Sequence, residues 1–435
     1  MSARLAALAA ASLSLAACGA PAPGDPHRQV GPNPYLPDIH QYLMPPAKLA
    51  RIVGWSGGRT PTVAPGLKIQ ALAKDFKGAR SLYVLPNGDI LVVESDGPPA
   101  PVRRPKEFVM NLLEKKTHSP VKAGNRIVLL RDANGDGVPE VRTVFLDHLD
   151  HPFGVALVGS DLYVANTGSI VRYPYQAGDT QITAPGVKLT DLPGGPIDHH
   201  WTKSLTASPD GTKLYAGVGS NSNITENGIG AELDRAQIWE IDRATGAHRP
   251  FATGLRNPNG LTFEPTTHQL WAVVNERDEL GPDLVPDYMT SVKDGAFYGW
   301  PYSYWGQHLD PRVKPERPDL VAKATVPDYG LSSHVAPLGL VFYTGANLPP
   351  QYRGGAFVGE HGSWDRTQLN GYKVVYVPFA GGRPNGMAQD VVTGFVSPDG
   401  KAYGRPVGLA VDAHGGLLIA DDAGNVVWRV TAAGG

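Results

Sequence analysis

The sequence predicts an all-β fold, a six-bladed β-propeller with four-stranded antiparallel blades. Three observations point there: a hairpin pattern that recurs six times, a composition rich in turn formers, and no amphipathic helical period longer than about three turns. Among the 435 residues, 52 glycines and 40 prolines exceed a fifth of the chain, which favours many tight turns between short strands. Hydrophobic residues make up 42%, enough for a large core. The formal net charge is -2, with no long run of lysine or arginine, so the footprint expected of a nucleic-acid binder is missing.

The recurring unit is a short apolar segment, a turn carrying Gly, Asp or Asn, and a second apolar strand. Its six copies start at Ser81, Gly154, Ser204, Gly260, Gly339 and Gly408. Taking Ile90, Leu162, Leu214, Leu270, Ala356 and Leu417 as equivalent, the spacings are 72, 52, 56, 86 and 61 residues. A lone hairpin cannot bury both apolar faces. Stacking six sheets radially solves that and hides most sheet edges. A sandwich or solenoid of the same hairpins is the alternative. In a propeller, loops at one end of the central channel share a site, so chemistry is expected just before or after these strands.

Residues 1–18 read MSARLAALAAASLSLAAC. Arg4, an apolar run from Leu5 to Ala17 and small residues before Cys18 predict an export signal, too short to span a bilayer. Leu15-Ala16-Ala17-Cys18 resembles the bacterial lipobox. That resemblance implies lipidation of Cys18 and a protein exported and held at a membrane, facing the periplasm or cell surface. Cys18 is the sole cysteine, so no intramolecular disulfide forms. Residues 19–46 carry eight prolines. We expect a Pro-rich tether over 19–60 and the propeller over 61–433.

Six segments hold residues that suit chemistry. Asp198-His199-His200 sits before the third repeat, where a histidine can accept a proton near neutral pH or a His pair can bind metal; a solvated loop reads the same way. Arg256 and Asn257 lead into the fourth repeat in a Pro-stiffened loop, where an arginine holds an oxyanion, a carboxylate or only solvent. The acidic stretch 275–289 includes Gly281-Pro282 and its free carbonyls, the hard oxygens calcium prefers; an acidic solvated loop is the alternative. Asp132, Asn134 and Asp136 copy the first half of a calcium loop, but Thr143 stands where a bidentate Glu belongs; a plain Asp-Gly hairpin turn fits equally. His361 and Arg366 follow the fifth repeat, and Arg405 precedes the last. Together they set a cation or a His beside successive blade strands, as an anionic cofactor in a central channel requires.

At GLRNPNGLTF, NERDELGP with its downstream FYGWP, and GEHGSWDR, taken in that order, the chain resembles the PQQ-dependent glucose/sorbosone dehydrogenases (PQQ is pyrroloquinoline quinone). Within them it looks most like the L-sorbosone dehydrogenase-like and soluble aldose sugar dehydrogenase branch. The resemblance runs from about residue 60 to 430. It implies PQQ and calcium as cofactors and His200 as catalytic base. It places Arg256 and Asn257 against the quinone, and calcium on the backbone carbonyls of Gly281 and Pro282. Arg405 and Arg366 fall near cationic residues that pair with PQQ carboxylates, and His199 stands where the glucose enzymes have an Asp. The implied reaction is oxidation of an aldose or sorbosone-type aldehyde: His200 takes the hydroxyl proton, hydride passes to the quinone, and Arg256 steadies the oxyanion. A cytochrome or quinone would then take the electrons. No GxGxxG motif follows a strand, which disfavours nicotinamide. A calcium-dependent lactonase-type propeller hydrolase and a non-catalytic surface-binding propeller remain as alternatives.

Overall fold

The computed structural model describes residues 24–41, 47–99, 101 and 121–434. Cys18 and the export segment lie outside them. Each of the six repeats forms the two inner strands of one blade. Blade 1 is Ala79–Val84, Ile90–Glu94, Arg126–Arg131 and Val141–Leu146; blade 2 is Gly154–Val158, Asp161–Ala165, Ser169–Pro174 and Val187–Asp191. Blade 3 is Leu205–Ala207, Lys213–Val218, Gln237–Asp242 and His248–Thr253; blade 4 is Pro258–Phe263, Leu270–Val274, Pro286–Ser291 and Tyr329–Ser333. Blade 5 is Pro337–Phe342, Ala356–Glu360, Lys373–Val377 and Gln389–Thr393. Blade 6 joins Pro406–Val411, Leu417–Asp421 and Val426–Ala432 to Leu67–Ala73 from near the other end of the chain. That last pairing, Ala432 opposite Leu67 and Val430 opposite Ile69, closes the ring, and the inner strands of successive blades touch all the way round.

The second strands explain why this sequence forms stacked blades. Ile90–Glu94, Leu270–Val274, Ala356–Glu360 and Leu417–Asp421 are buried at every position. Their continuous apolar runs suit sheets covered on both faces. Side chains alternate between those faces: Leu91 and Val93 pack with Leu162 and Val164 of blade 2, while Ile90 and Val92 pack with Leu418 and Ala420 of blade 6. Where inner strands converge there is little room for side chains. A Cβ on Gly408 would stand 2.7 Å from the Arg80 carbonyl oxygen of the next blade. Helix among the described residues amounts to one α-turn, Pro318–Val321, and three short 3-10 turns; no helix there is long and apolar enough to cross a membrane.

The described part of 19–60 packs onto the propeller, whereas a free tether was expected. Val30–Gly31 adds a fifth strand to blade 4 opposite Leu331 and Gly330. Arg51–Ile52 pairs with Lys401–Ala402. Trp55 packs edge-on against Phe395 and Trp428 and donates to Asp421 at 2.6 Å. Apart from one 3-10 turn at Pro26–Gln29 the segment is largely extended, and these strand pairings and side chains such as Trp55, not hydrophobic periodicity, bind it to the blades.

Candidate active site

Strand register decides which end of the channel can hold a site. The first residue of each inner strand faces the end of its neighbour: Leu205 faces Ala216, two residues short of the end of Lys213–Val218, and Pro258, Pro337 and Pro406 face the last residues Val274, Glu360 and Asp421. Residues just before a first strand and just after a second strand therefore gather at one mouth. His200, Arg256, His334 and Arg405 come from the former position, and Ser220, Asp278, His361 and Asp422 from the latter. The Asp132 loop joins the two outer strands of blade 1, at the opposite end.

His200 is half-buried, and its Nδ1 lies 2.8 Å from the carbonyl oxygen of Ser220 and 3.1 Å from its hydroxyl. A carbonyl only accepts, so Nδ1 carries the proton and Nε2 holds a lone pair. Burial, and then the charges of Arg256 and His199, hold the imidazole well below its usual pKa, which fixes the neutral, basic form. His199 is exposed, yet its ring lies 4.5 Å from that of His200, edge to face. Neighbours on an extended segment point to opposite sides, and these two do not. Asp198, at φ 42°, bends the segment out of the extended conformation that such alternation needs.

Arg256 is 3% exposed and anchored on four sides. It donates to the carbonyls of Glu276 at 2.7 Å and Asn275 at 3.4 Å, to Asn223 Oδ1 at 3.0 Å and to Asp278 Oδ2 at 3.2 Å. Trp300 of the FYGWP segment holds Asn223 in turn, donating to its carbonyl at 3.0 Å. Asn257 is buried with Oδ1 unpartnered among the described residues, as is Nε of Arg256. On its other oxygen Asp278 meets His334 Nδ1 at 3.2 Å, and His334 Nε2 sits 3.1 Å from the Gly281 carbonyl. Burial would lower the His334 pKa, but the bond to Asp278 and the charges of Asp365 and Asp287 raise it to about 9.

Blades 5, 6 and 1 supply a second polar group. Arg405 donates through Nε to the His361 carbonyl and through Nη2 to the Gly362 carbonyl, both at 3.0 Å. Asp422 pairs with Arg80 at 2.7 Å and with His361 Nε2 at 3.1 Å. Burial and then the charge of Arg405 pull His361 down to about 4, against the pull of Asp422, so it is neutral at pH 7. Arg80 also lies over the Trp201 ring, 5.2 Å from its centroid. Trp201 packs on Phe153, Leu338 and Val407. These four come from blades 3, 2, 5 and 6 and lay an apolar floor beneath the polar rim.

The structure therefore brings His199, His200, Arg256, Asn257 and Arg405 to one mouth. It separates Arg366, which is 1% exposed: its nitrogens bond the carbonyls of Pro282 at 2.9 Å and Gln368 at 3.2 Å and pair with Asp283 at 2.8 Å. A side chain so buried and engaged clamps the 281–283 loop. The Gly281 and Pro282 carbonyls, expected free for calcium, already accept from His334 and from Arg366 and Ser333. Asp132, Asn134 and Asp136 lie exposed, their side chains accepting backbone N–H groups of their own turn. Arg80, His334 and Asp422 lie outside the candidate segments read from the sequence, and Trp201, Asp278 and Asp365 lie inside them without an assigned role. Asp422 had a signal, since it follows its second strand just as His361 does.

The sequence matches the TrAA12-like family over residues 121–292 and 317–433. It is 26% identical over 291 residues to a pyrroloquinoline quinone-dependent pyranose dehydrogenase of Coprinopsis cinerea, covering 57% of this chain and 39% of that protein. The chain spans from about a third to just under two thirds of the length of several curated relatives that it matches. Its fold matches the holo PQQ domain of pyranose dehydrogenase from Coprinopsis cinerea, with a TM-score of 0.69 and 20% identity over 88% of this chain and 100% of that one. A calcium structure of a Trichoderma reesei carbohydrate-active enzyme of family AA12 matches equally, with a TM-score of 0.69 and 20% identity over 86% and 97% of the two chains. With two thirds of its length inside the matched segments and the propeller complete, the chain belongs to the TrAA12-like family.

Proposed function

We propose that this protein is a PQQ- and calcium-dependent oxidoreductase that oxidises an aldose or a sorbosone-type sugar aldehyde. The observation that carries the reading is the convergence of Arg80, Arg256, Arg405 and His200 above the floor of Trp201, Phe153, Leu338 and Val407. A planar, multiply anionic quinone fits that arrangement: Trp201 and its apolar neighbours would receive its ring, and Arg80, Arg256 and Arg405 would balance its charge. Bound there, PQQ supplies a two-electron acceptor and calcium a Lewis acid that polarises it. The protein's own residues then do the positioning and the proton transfer. His200 Nε2 accepts the hydroxyl proton of the substrate's anomeric carbon, while Nδ1 stays locked on Ser220. Arg256, fixed by Asn223, Glu276 and Asp278, faces developing negative charge without having to reorganise. A lactonase-type hydrolase would not need three arginines around an apolar floor. Export and anchoring through Cys18 belong to the same proposal, as does an electron acceptor at the membrane.

The test is reconstitution of purified protein with PQQ and calcium, followed by dye reduction across a panel of aldoses and aldehydes. We expect turnover only with both cofactors present and its loss on chelation. Turnover unaffected by omitting PQQ would overturn the reading.

A further inference from the structure

We propose that Asp278, His334 and Asp365 form a buried divalent-cation site between blades 4 and 5, whose ligands are side chains and not the Gly281 and Pro282 carbonyls alone. One ligand atom from each of the three residues lies within 4.8 Å of those from the other two. That is the span across a single calcium ion with metal–oxygen bonds of about 2.4 Å. Asp365 is 1% exposed; its Oδ2 accepts the Glu279 N–H at 2.8 Å, while its Oδ1 has no hydrogen-bond partner among the described residues. A buried carboxylate oxygen left without a donor is costly, and a cation in the cluster is the partner it lacks. The Gly281 carbonyl, 3.1 Å from His334 Nε2, borders the cluster and adds a further hard oxygen.

The donor set is two carboxylates, a neighbouring carbonyl and the His334 imidazole, whose Nδ1 becomes a ligand once the ion displaces the proton it shares with Asp278. Its oxygens suit calcium, and its nitrogen also admits manganese or zinc. The binding chemistry is common to the three ions, so the experiment separates them. This inference does not depend on the quinone reading, because it is measured on the PQQ-free protein.

The exposed Asp132, Asp136 and Glu140 cluster at the far end of the channel is removed from the experiment by working in an Asp136→Asn background. Calcium, manganese and zinc are each titrated calorimetrically into that protein, and melting curves are recorded with and without ion. We expect one equivalent of at least one of the three ions to bind, with a rise in melting temperature because only the folded state binds. Adding Asp365→Asn or His334→Gln should weaken binding at least about tenfold, and Asp365→Glu should recover part of it. If none of the three ions binds or shifts melting in the Asp136→Asn protein, the site does not exist. Binding that persists unchanged in a folded Asp365→Asn variant would place the ion elsewhere and overturn the assignment.

Discussion

His200 Nδ1 lies 2.8 Å from the backbone carbonyl oxygen of Ser220, which makes Nε2 the basic nitrogen of the site. His200→Gln or His200→Ala should therefore keep PQQ affinity while turnover falls by roughly 10²–10⁴-fold, the usual worth of general-base catalysis. His199→Ala should cost less, because His199 is the exposed member of the pair. A base whose pKa is held well below the ordinary histidine value is deprotonated throughout the neutral range. The acid limb of turnover should then lie below about pH 6.5, with a plateau above it. An acid limb centred above that value would mean that another group titrates in the reaction.

Gly219 separates the two residues on which that geometry depends. A Cβ at this position would run into both Asn257 Oδ1 and His200 Cβ. Gly219→Ala should cost about 1–3 kcal/mol of stability and lower turnover at least about tenfold by moving His200. Gly230→Ala, where a Cβ meets nothing within 4 Å, is the control. Wild-type turnover in Gly219→Ala would show that the spacing of His200 and Asn257 is not critical.

Arg405 and Arg366 separate a rim cation from a buried clamp. Arg405 leaves Nη1 without a partner among the described residues, with Nε and Nη2 fixed on the His361 and Gly362 carbonyls. Arg405→Met should weaken PQQ binding about 10–100-fold, the value of one charged hydrogen bond of roughly 1.5–3 kcal/mol, with turnover at saturating PQQ nearly kept. Arg366→Met should instead lower the melting temperature, since it removes the cation paired with the Asp283 carboxylate. The reverse pattern in PQQ titrations and melting curves would exchange their roles.

What could be read in the sequence follows from where each signal resides. The six hairpins were legible because each second strand holds a short apolar run next to a turn former, as in Leu270–Val274 and Leu417–Ala420. Val30–Gly31 and Thr62–Val63 are two-residue strands at blade edges, and no period can be detected in two residues. Site positions next to those hairpins were also legible, which is why His200, Arg256 and Arg405 meet at one mouth. A motif such as Gly281-Pro282 locates a loop but does not say which side chain takes each carbonyl. His334 and Arg366 come from blade 5, more than fifty residues further on. Alternation failed at His199 and His200 because it holds only for extended backbone.

Glu360 gives the fold a pH dependence with a definite sign. Burial pushes its carboxyl up to about 8, and Oε2 has no partner among the described residues. Its unfolded value is near ~4.3, so the folded state binds the extra proton between those values. The stability it contributes is complete below the unfolded value and declines as pH rises through about 8, by about 1.4 kcal/mol per pH unit. Glu360→Gln keeps the shape and removes the charge. The variant's melting temperature should therefore gain on wild type between pH 5 and pH 8 and hold that gain above it. A difference that stays constant across this range would show that Glu360 is ionised in the folded protein throughout.

The lipid proposed on Cys18 would be tied to the orientation of the site through Gly24. The Gly24 N–H donates to Asp283 Oδ2 at 2.8 Å, and Asp283 belongs to the loop at the mouth that holds Gly281 and Pro282. Gly24 lies six residues beyond Cys18 in the chain. Fully extended, six residues reach about 20 Å. A lipid on Cys18 would thus hold the mouth within about that distance of the membrane, close enough to pass electrons to an acceptor in or on the bilayer. Cys18→Ser should move the protein from the detergent phase to the aqueous phase of a partition assay, with turnover toward a soluble dye unchanged. Inserting a long Gly/Ser linker after Cys18 should keep the protein in the detergent phase and keep dye turnover, yet slow the reduction of a membrane-embedded acceptor in vesicles. Wild type found wholly in the aqueous phase would remove the anchor. Equal rates to the membrane acceptor with and without the linker would show that the short reach from Cys18 to Gly24 does not govern electron delivery.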